Sequence, residues 1–186
     1  MAITIARRRF TVAEYHRMAE AGILRYKERV ELIEGEIVDM TPIGRRHMAC
    51  VDRLTRFFVR GVGDEAIVRV QGSLRLHEHS EPEPDLVILR PRADFYAESD
   101  AGPADALLIV EVADTSEHYD RQVKVPLYAR AGIPEVWVVD LTAATVTAYR
   151  GPSATGYTEA IVATGTDELS PLAFPELSLS AARILG

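Results

Sequence analysis

The sequence predicts four helices, and in two of them the hydrophobic positions follow a helical period. Between about Arg45 and Arg60, sheet-facing positions recur at i, i+4, i+7 and i+11, namely His47, Val51, Leu54 and Phe58. A similar stretch predicts a second core helix over about Tyr119–Ala131, ending at Gly132. Thr11 and Glu14 have the spacing of a capping box, which predicts a short helix ending near Gly22. The tail 177–185 predicts one more short helix.

Short runs of β-prone and apolar residues predict the strands. We expect strands over Val30–Ile33, Glu36–Met40, Ala66–Val70, Ser73–Leu76, Asp85–Leu89, Ala106–Val112, Glu135–Val139, Thr145–Tyr149 and Tyr157–Val162. The runs Ala106–Val112 and Glu135–Val139 are almost wholly apolar, so they should be central strands buried on both faces. The first two and the last two strands form hairpins. The order of elements predicts an α/β domain with a mixed sheet flanked by helices, and we expect one domain over residues 1–186.

Composition agrees with a globular chain and narrows its location. Of its 186 residues 47% are hydrophobic and 26% are charged, enough for a sizeable core and a charged surface. No apolar run approaches the roughly 20 residues that cross a bilayer, and the first ten residues lack the apolar stretch of a secretory signal. Cys50 is the single cysteine, which excludes an intrachain disulfide and a cysteine-rich zinc site. We therefore expect a cytoplasmic protein with no membrane partner.

The net charge of −7 argues against nonspecific binding to nucleic acid through overall charge. It does not exclude a nuclease, because carboxylates that hold divalent cations also make a chain acidic. The glycine-rich phosphate loops GxxxxGK[ST] and GxGxxG are both absent, so nucleotide-binding folds are disfavoured.

Two carboxylates have unusual positions. Asp85 opens a strand directly after Pro84, and Glu111 lies near the end of the most hydrophobic strand. An ionised carboxylate in such a strand is unfavourable unless it is paired or bound to a metal. Glu111 is therefore a candidate metal ligand, or a strand-end glutamate that reaches water or an arginine.

Lys124 is the cation that the sequence places near this pair. The second core helix carries one stripe at helical spacing: Asp120, Lys124, Leu127, Tyr128 and Ala131. Because Leu127 and Tyr128 must face the sheet, Lys124 should lean towards the end of the strand that carries Glu111. The alternative is a salt bridge between Lys124 and Asp120 on a solvated helix face. Pro126 lies inside this helix and predicts a kink that tilts Lys124.

Taken together, these segments resemble the Uma-type restriction endonucleases of the PD-(D/E)XK nuclease superfamily. The resemblance covers roughly residues 10–180 and rests on Glu31-Leu-Ile-Glu-Gly-Glu-Ile-Val, Pro84-Asp85-Leu-Val, Ile109-Val-Glu111-Val, Asp120-x-x-x-Lys124-x-x-x-Tyr128 and Gly132-Ile-Pro-Glu-Val-Trp-Val-Val-Asp140. It implies a restriction-endonuclease-like αβββαβ core, with β-hairpins added at both ends. The chain departs from the general superfamily pattern at Ala113, where a lysine is usual.

The resemblance also implies a site. It implies that Asp85, Glu111 and Lys124 are catalytic, with Lys124 as a migrated lysine. Mg²⁺ or Mn²⁺ would be held by Asp85, Glu111 and the Val112 backbone carbonyl, and Glu31 is an extra candidate ligand. The implied activity is endonucleolytic hydrolysis of DNA.

Further residues are candidates for accessory roles. His47 faces the sheet and either joins the site or is a satisfied core histidine; Gln71 either orients a site group or is a turn residue; Asp120 is a third accessory candidate. A stripe of arginines could contact phosphates or be a solvated helix face: Arg46, Arg53, Arg56 and Arg60.

Two other functions stay open at this point. One is a catalytically inactive module of the same fold that binds nucleic acid or protein, and the other is a metal-dependent hydrolase of another substrate. No separate recognition domain is evident, so any specificity would come from loops or from pairing in a homodimer.

Overall fold

A six-stranded mixed sheet with helices on both faces forms the centre of the fold. The structure is a computed structural model that describes residues 7–25, 28–114 and 116–186. The strand order is β3–β4–β5–β6–β7–β8, formed by Ile67–Val70, Leu86–Leu89, Ala106–Ala113, Glu135–Asp140, Thr145–Ser153 and Gly156–Ala163. Only β5 and β6 pair in parallel, and the other neighbours in this sheet are antiparallel. The predicted mixed α/β architecture is confirmed.

The remaining elements surround this sheet. The helices are α1 (Val12–Glu20), α2 (Arg45–Val62), α3 (Glu117–Tyr119), α4 (Val125–Arg130) and α5 (Ala181–Leu185), with a π-helical turn over Asp120–Lys124 between α3 and α4. Two small sheets stand apart: β1 (Val30–Ile33) with β2 (Glu36–Asp39), and β9 (Glu168–Leu169) with β10 (Leu179–Ser180). The capping box predicted for α1 is present, since the Thr11 side chain accepts from the Glu14 amide.

The core has two halves, one on each face of the sheet. On one face α2 and α5 cover a cluster that includes Phe58 and Trp137. On the other face α4 covers a cluster that includes Leu127, Tyr128 and Ile109. Strands β5 and β6 contribute side chains to both clusters, which explains why their sequences are apolar throughout. Among the described residues, no helix has the length and apolarity to span a bilayer.

Three sequence predictions need correction. The segment Ser73–Leu76 is not a strand, because it runs beside residues that include Pro82 and Pro84, which have no N–H for a ladder. The tail helix begins only at Ala181, since the two residues before it pair with β9. The second core helix is not a regular α-helix with a kink at Pro126, because a π-helical turn precedes that proline.

Candidate active site

A cleft of about 410 Å³ opens where the β1–β2 hairpin, the start of α2, the ends of β4 and β5, and the π-helical turn meet. Carboxylates dominate its lining: Glu31, Asp39, Glu83, Asp85, Glu111, Asp114 and Asp120. The lining also contains Arg29, Lys124, His47 and His118. The structure thus brings Asp85, Glu111 and Lys124 to one cleft, together with the accessory candidates Glu31, His47 and Asp120.

Asp85 lies immediately before β4 and is fixed by the sheet itself. Its Oδ2 accepts a hydrogen bond from the Val112 amide at 2.9 Å, and its Oδ1 accepts one from Gln71 Nε2 at 3.4 Å. Continuing the β4–β5 register by two residues beyond Leu86↔Val110 brings Pro84 opposite Val112. Proline has no N–H, so this neighbour cannot donate to the Val112 carbonyl. Pro84 therefore leaves an oxygen acceptor beside Asp85 at the sheet end.

His47 lies against Asp85 from the other side. Its Nε2 is 3.0 Å from Asp85 Oδ2, whereas its buried Nδ1 has no hydrogen-bond partner within the described part of the chain. His47 is thus not a satisfied core histidine.

Gln71 lies in a turn and has a positive φ of 45°, a conformation that non-glycine residues rarely adopt. Gln71 is therefore both a turn residue and a neighbour of Asp85.

Glu111 is almost fully buried on the face of β5 that α4 covers. Its Oε1 accepts a hydrogen bond from the Tyr128 hydroxyl at 2.6 Å and lies 3.3 Å from Lys124 Nζ. Burial raises the pKa of Glu111 to about 8; the Lys124 ammonium opposes this shift, while Asp120 and Asp85 add to it. The Glu111 carboxyl thus lacks enough positive charge around it to stay fully ionised at neutral pH.

Lys124 is enclosed between two carboxylates. Its Nζ is 3.1 Å from Glu31 Oε2 in addition to its contact with Glu111, and the residue is only 4% exposed. Burial alone would lower the pKa of Lys124, but the charges of Glu111, Glu31 and Asp120 raise it above its ordinary value. The amine is therefore an ammonium ion at neutral pH. The solvated salt bridge considered as its alternative is not what the structure shows.

The π-helical turn sets the positions of Asp120 and Lys124. The Val125 amide donates to the Asp120 carbonyl, a wider turn than in an α-helix. Pro126 follows at once, and the wider turn accommodates a residue that has no N–H and crowds the preceding turn. The Asp120 carboxylate accepts a hydrogen bond from Ser116 Oγ at 2.7 Å. Burial raises the pKa of Asp120 to about 6, opposed by Lys124 and Ser116.

The arginine stripe of α2 divides into two pairs. Arg46 contacts the Leu141 carbonyl and Asp114, and Arg53 donates to the Ile184 carbonyl at 2.9 Å. Arg56 and Arg60 are exposed. Only the second pair is therefore accessible without breaking contacts of the fold.

The donor set of the cleft fits a hard divalent cation. Among residues 7–25, 28–114 and 116–186, no three His, Cys, Asp or Glu side chains are grouped as a ready-made metal site. Mg²⁺, however, usually takes one or two carboxylates and completes its shell with water. Asp85 and Glu111 supply two carboxylates, and Glu111 Oε2 has no hydrogen-bond partner among the described residues. Burial is the main cause of the raised pKa of Glu111, with Asp120 and Asp85 adding to it, and a bound cation would favour the ionised carboxylate against these effects.

Sequence reasoning did not identify two tyrosines of the site, nor the lining residues Arg29, Asp39, Glu83, Asp114 and His118. Tyr128 was expected only to pack against the sheet, and Tyr119 was not considered. The signal for Tyr128 was present, because a buried tyrosine hydroxyl normally needs a partner and Lys124 lies one helical turn before it. Tyr119 lines the cleft, and its buried hydroxyl has no hydrogen-bond partner among the residues that the structure describes. Burial raises the pKa of Tyr119 to about 12.

Comparisons with known proteins give a family and a fold. The family model Uma2, described as "Putative restriction endonuclease", matches residues 12–182. Among solved structures, the chain is similar to a "putative nuclease belonging to DUF820" from Anabaena variabilis ATCC 29413, with a TM-score of 0.71 and 18% identity. That alignment covers 95% of this chain and 97% of the other, and at this identity it supports the fold alone. No curated protein matches.

Proposed function

The chain belongs to the Uma2 family of nucleases, and from that premise we propose that it is an endonuclease that hydrolyses DNA phosphodiester bonds with Mg²⁺ or Mn²⁺. One observation carries the proposal: the Lys124 ammonium is enclosed by Glu31 and Glu111 in the cleft that Asp85 also lines. Burying several ionisable groups together opposes folding, and such perturbed groups concentrate at active sites. A module that only binds would have no use for this arrangement.

The proposed ligands are Asp85, Glu111 and the Val112 carbonyl, with Glu31 as a further carboxylate. A divalent cation bound there would polarise the phosphate and lower the pKa of a bound water. Asp85 is oriented for this role by the Val112 amide, which fixes Oδ2, and by His47 and Gln71. Because these contacts come from the sheet and from α2, the carboxylate needs little reorganisation before substrate binds.

Lys124 contributes charge rather than a base. As an ammonium ion it cannot accept a proton from water, but it can donate hydrogen bonds to a non-bridging phosphate oxygen. Negative charge accumulates on that oxygen as the phosphodiester is attacked, and a preorganised cation stabilises this charge. A phosphate oxygen of the substrate would then accept a hydrogen bond from Lys124 Nζ in place of Glu31 or Glu111, which contact this atom in the free protein.

The proposal is tested with supercoiled plasmid, linear DNA and RNA oligonucleotides in Mg²⁺ and in Mn²⁺. Asp85→Asn keeps the shape of the side chain and an acceptor for the Val112 amide but removes the charge. Asp64→Asn, on the exposed turn after α2, is the matched control. We expect cleavage of plasmid by the parent and the control, and none by Asp85→Asn. A parent that binds DNA without cleaving it in either metal would favour the inactive module.

Assembly and location stay predictions. A homodimer would place two clefts on opposite strands of one DNA duplex, and sedimentation of the full chain tests it. Expression with a fluorescent tag tests the expected cytoplasmic location.

A further inference from the structure

Tyr128 is the one fully buried tyrosine among the described residues that bonds a site carboxylate. It lies on α4 with no exposed surface, and its hydroxyl donates to Glu111 Oε1 at 2.6 Å. The hydroxyl can donate to this oxygen whether Glu111 is protonated or ionised, and the hydrogen bond becomes charge-assisted when the carboxylate is ionised, as it would be beside a cation. Since the ring is packed among Leu127, Ile109 and Val136, the hydroxyl has little freedom to move.

The two oxygens of Glu111 have different surroundings. Oε1 receives both the Tyr128 hydroxyl and the Lys124 ammonium, whereas Oε2 has no hydrogen bond from any described residue. The Glu111 side chain keeps 4% of its surface exposed and lines the cleft, so the oxygen without a donor is the one available to a ligand there. Two donors thus hold one oxygen and leave the other for a ligand.

We propose that Tyr128 is a positioning residue that holds Glu111 so that a divalent cation is bound through Oε2 alone. The inference rests on the proposed function, because it concerns the cation of that site. Tyr128 does not touch the cation or the phosphate; it acts through the orientation of Glu111. Without the hydroxyl, the carboxylate can rotate and offer either oxygen to Lys124, and fewer molecules present Oε2 to the cleft.

The chain offers a matched control in Tyr157. Its hydroxyl donates to the Ile133 carbonyl at 2.8 Å, so Tyr157→Phe also removes one internal hydrogen bond of a largely buried tyrosine. Tyr157 does not line the cleft. Tyr128→Phe and Tyr157→Phe therefore differ in whether the hydrogen bond they remove orients Glu111.

The first test measures Mn²⁺ affinity of the full-length protein by electron paramagnetic resonance of the free ion. Loss of a group that orients a metal ligand typically lowers metal affinity about 10- to 100-fold, which we expect for Tyr128→Phe. We expect no change for Tyr157→Phe. Equal affinity of Tyr128→Phe and the parent would overturn the inference alone, whereas a parent that binds no Mn²⁺ would overturn the proposed function and the inference with it.

The second test follows the Mn²⁺ dependence of plasmid cleavage. A positioning role predicts that Tyr128→Phe needs about 10- to 100-fold more Mn²⁺ for half-maximal rate, while kcat at saturating Mn²⁺ approaches that of the parent. A lower kcat with an unchanged requirement for Mn²⁺ would show that Tyr128 acts elsewhere in the reaction and would overturn the inference.

A third test does not use Tyr128→Phe, so it can be made even if that variant does not fold. In infrared difference spectra with and without Mg²⁺, ¹³C-labelled glutamate carboxylates separate the glutamate bands from those of Asp85, and Glu31→Gln separates Glu111 from Glu31. Coordination through one oxygen separates the symmetric and antisymmetric stretches more widely than in a free carboxylate, and coordination through both oxygens brings them closer. We expect the wider separation, and a narrower one would overturn the inference.

Discussion

The Nζ atom of Lys124 lies 3.3 Å from Oε1 of Glu111. Both residues are buried, Lys124 in a helical turn and Glu111 near the end of a strand. Lys124 belongs to the helical segment that follows the strand of Glu111. The position two residues after Glu111 in that strand is occupied by Ala113. The crossover from β5 through α4 to β6 brings the two residues together, because the helix packs on the face of the sheet to which Glu111 belongs.

We predict that Lys124→Met loses at least about 100-fold of the cleavage rate, because it removes the ammonium that would stabilise charge on the phosphate. Glu31 and Glu111 also lose their compensating charge, so stability near pH 8 should fall by up to about 3–5 kcal/mol. Cleavage is therefore compared at a temperature where circular dichroism shows the variant folded. Arg17→Met, which removes an exposed cation from α1, is the control, and full activity of Lys124→Met would exclude a catalytic role for the lysine.

We predict that the stability of the metal-free protein falls between about pH 4.5 and 8. The pKa of Glu111 is raised from 4.5 to about 8, so over this window the native state keeps a proton that the unfolded chain releases. Asp120, whose pKa is raised from 3.8 to about 6, adds to the lower part of the window. Each group contributes a slope of at most about 1.4 kcal/mol per pH unit.

Urea unfolding at several pH values in a chelating buffer measures this dependence. Glu111→Gln should flatten the curve between about pH 7 and 8, where Asp120 is mostly ionised in both states. Glu159→Gln, at an exposed position of β8, should leave the curve unchanged. A curve that rises with pH would show that Glu111 is ionised throughout the native state.

We predict that millimolar Mn²⁺ or Mg²⁺ raises the melting temperature of the parent but not that of Glu111→Gln. A cation that binds only the native state stabilises it by mass action, by about 5–10 °C for a chain of this size when its concentration is a hundred times Kd. Without metal, Glu111→Gln should be at least as stable as the parent, because it relieves repulsion among the carboxylates and keeps an acceptor for Tyr128. The same metal response in both proteins would remove Glu111 from the ligand set.

We predict different effects for the two pairs of arginines on α2. Replacing Arg56 and Arg60 with Gln should weaken DNA binding. The slope of the logarithm of the binding constant against the logarithm of the salt concentration should become smaller by about 0.9 for each phosphate that the protein no longer neutralises. Arg53→Gln should instead lower the melting temperature, since its side chain bonds the carbonyl of Ile184 near the C-terminus. Fluorescence anisotropy with duplex DNA at several salt concentrations separates these effects. An unchanged salt slope would identify Arg56 and Arg60 as a solvated helix face.

Much of the fold was predictable because burial is recorded in the sequence pattern. The continuous apolar run of β5 needs no periodicity to identify it as central, and the glutamate within it is conspicuous for the same reason. The placement of Lys124 near Glu111 followed from two local facts, a helix stripe and a short connection, and the structure places the two side chains together.

Other features depend on contacts that no local pattern records. A π-helical turn and an α-helical turn place residues 120 and 124 on similar sides, so the spacing of Asp120 and Lys124 could not distinguish them. The proximity of His47 to Asp85 joins the start of α2 to a sheet end 38 positions later in the chain. The segment Ser73–Leu76 has a strand-like composition, but pairing also requires N–H groups on its neighbour, and two prolines remove them.

The cleft carboxylates belong to sheets of unequal local stability. Glu111 is on the third of six hydrogen-bonded strands, whereas Glu31 is on a two-stranded hairpin joined to the rest through few backbone bonds, such as those between Leu32 and Glu81. A two-stranded sheet is marginal by itself, and such units open with less free energy than the whole domain. Amide protons of β1 and β2 should therefore exchange with solvent through local opening, whereas those of β5 should exchange only through global unfolding. Local opening should therefore break the contact between Lys124 and Glu31 more often than the contact between Lys124 and Glu111.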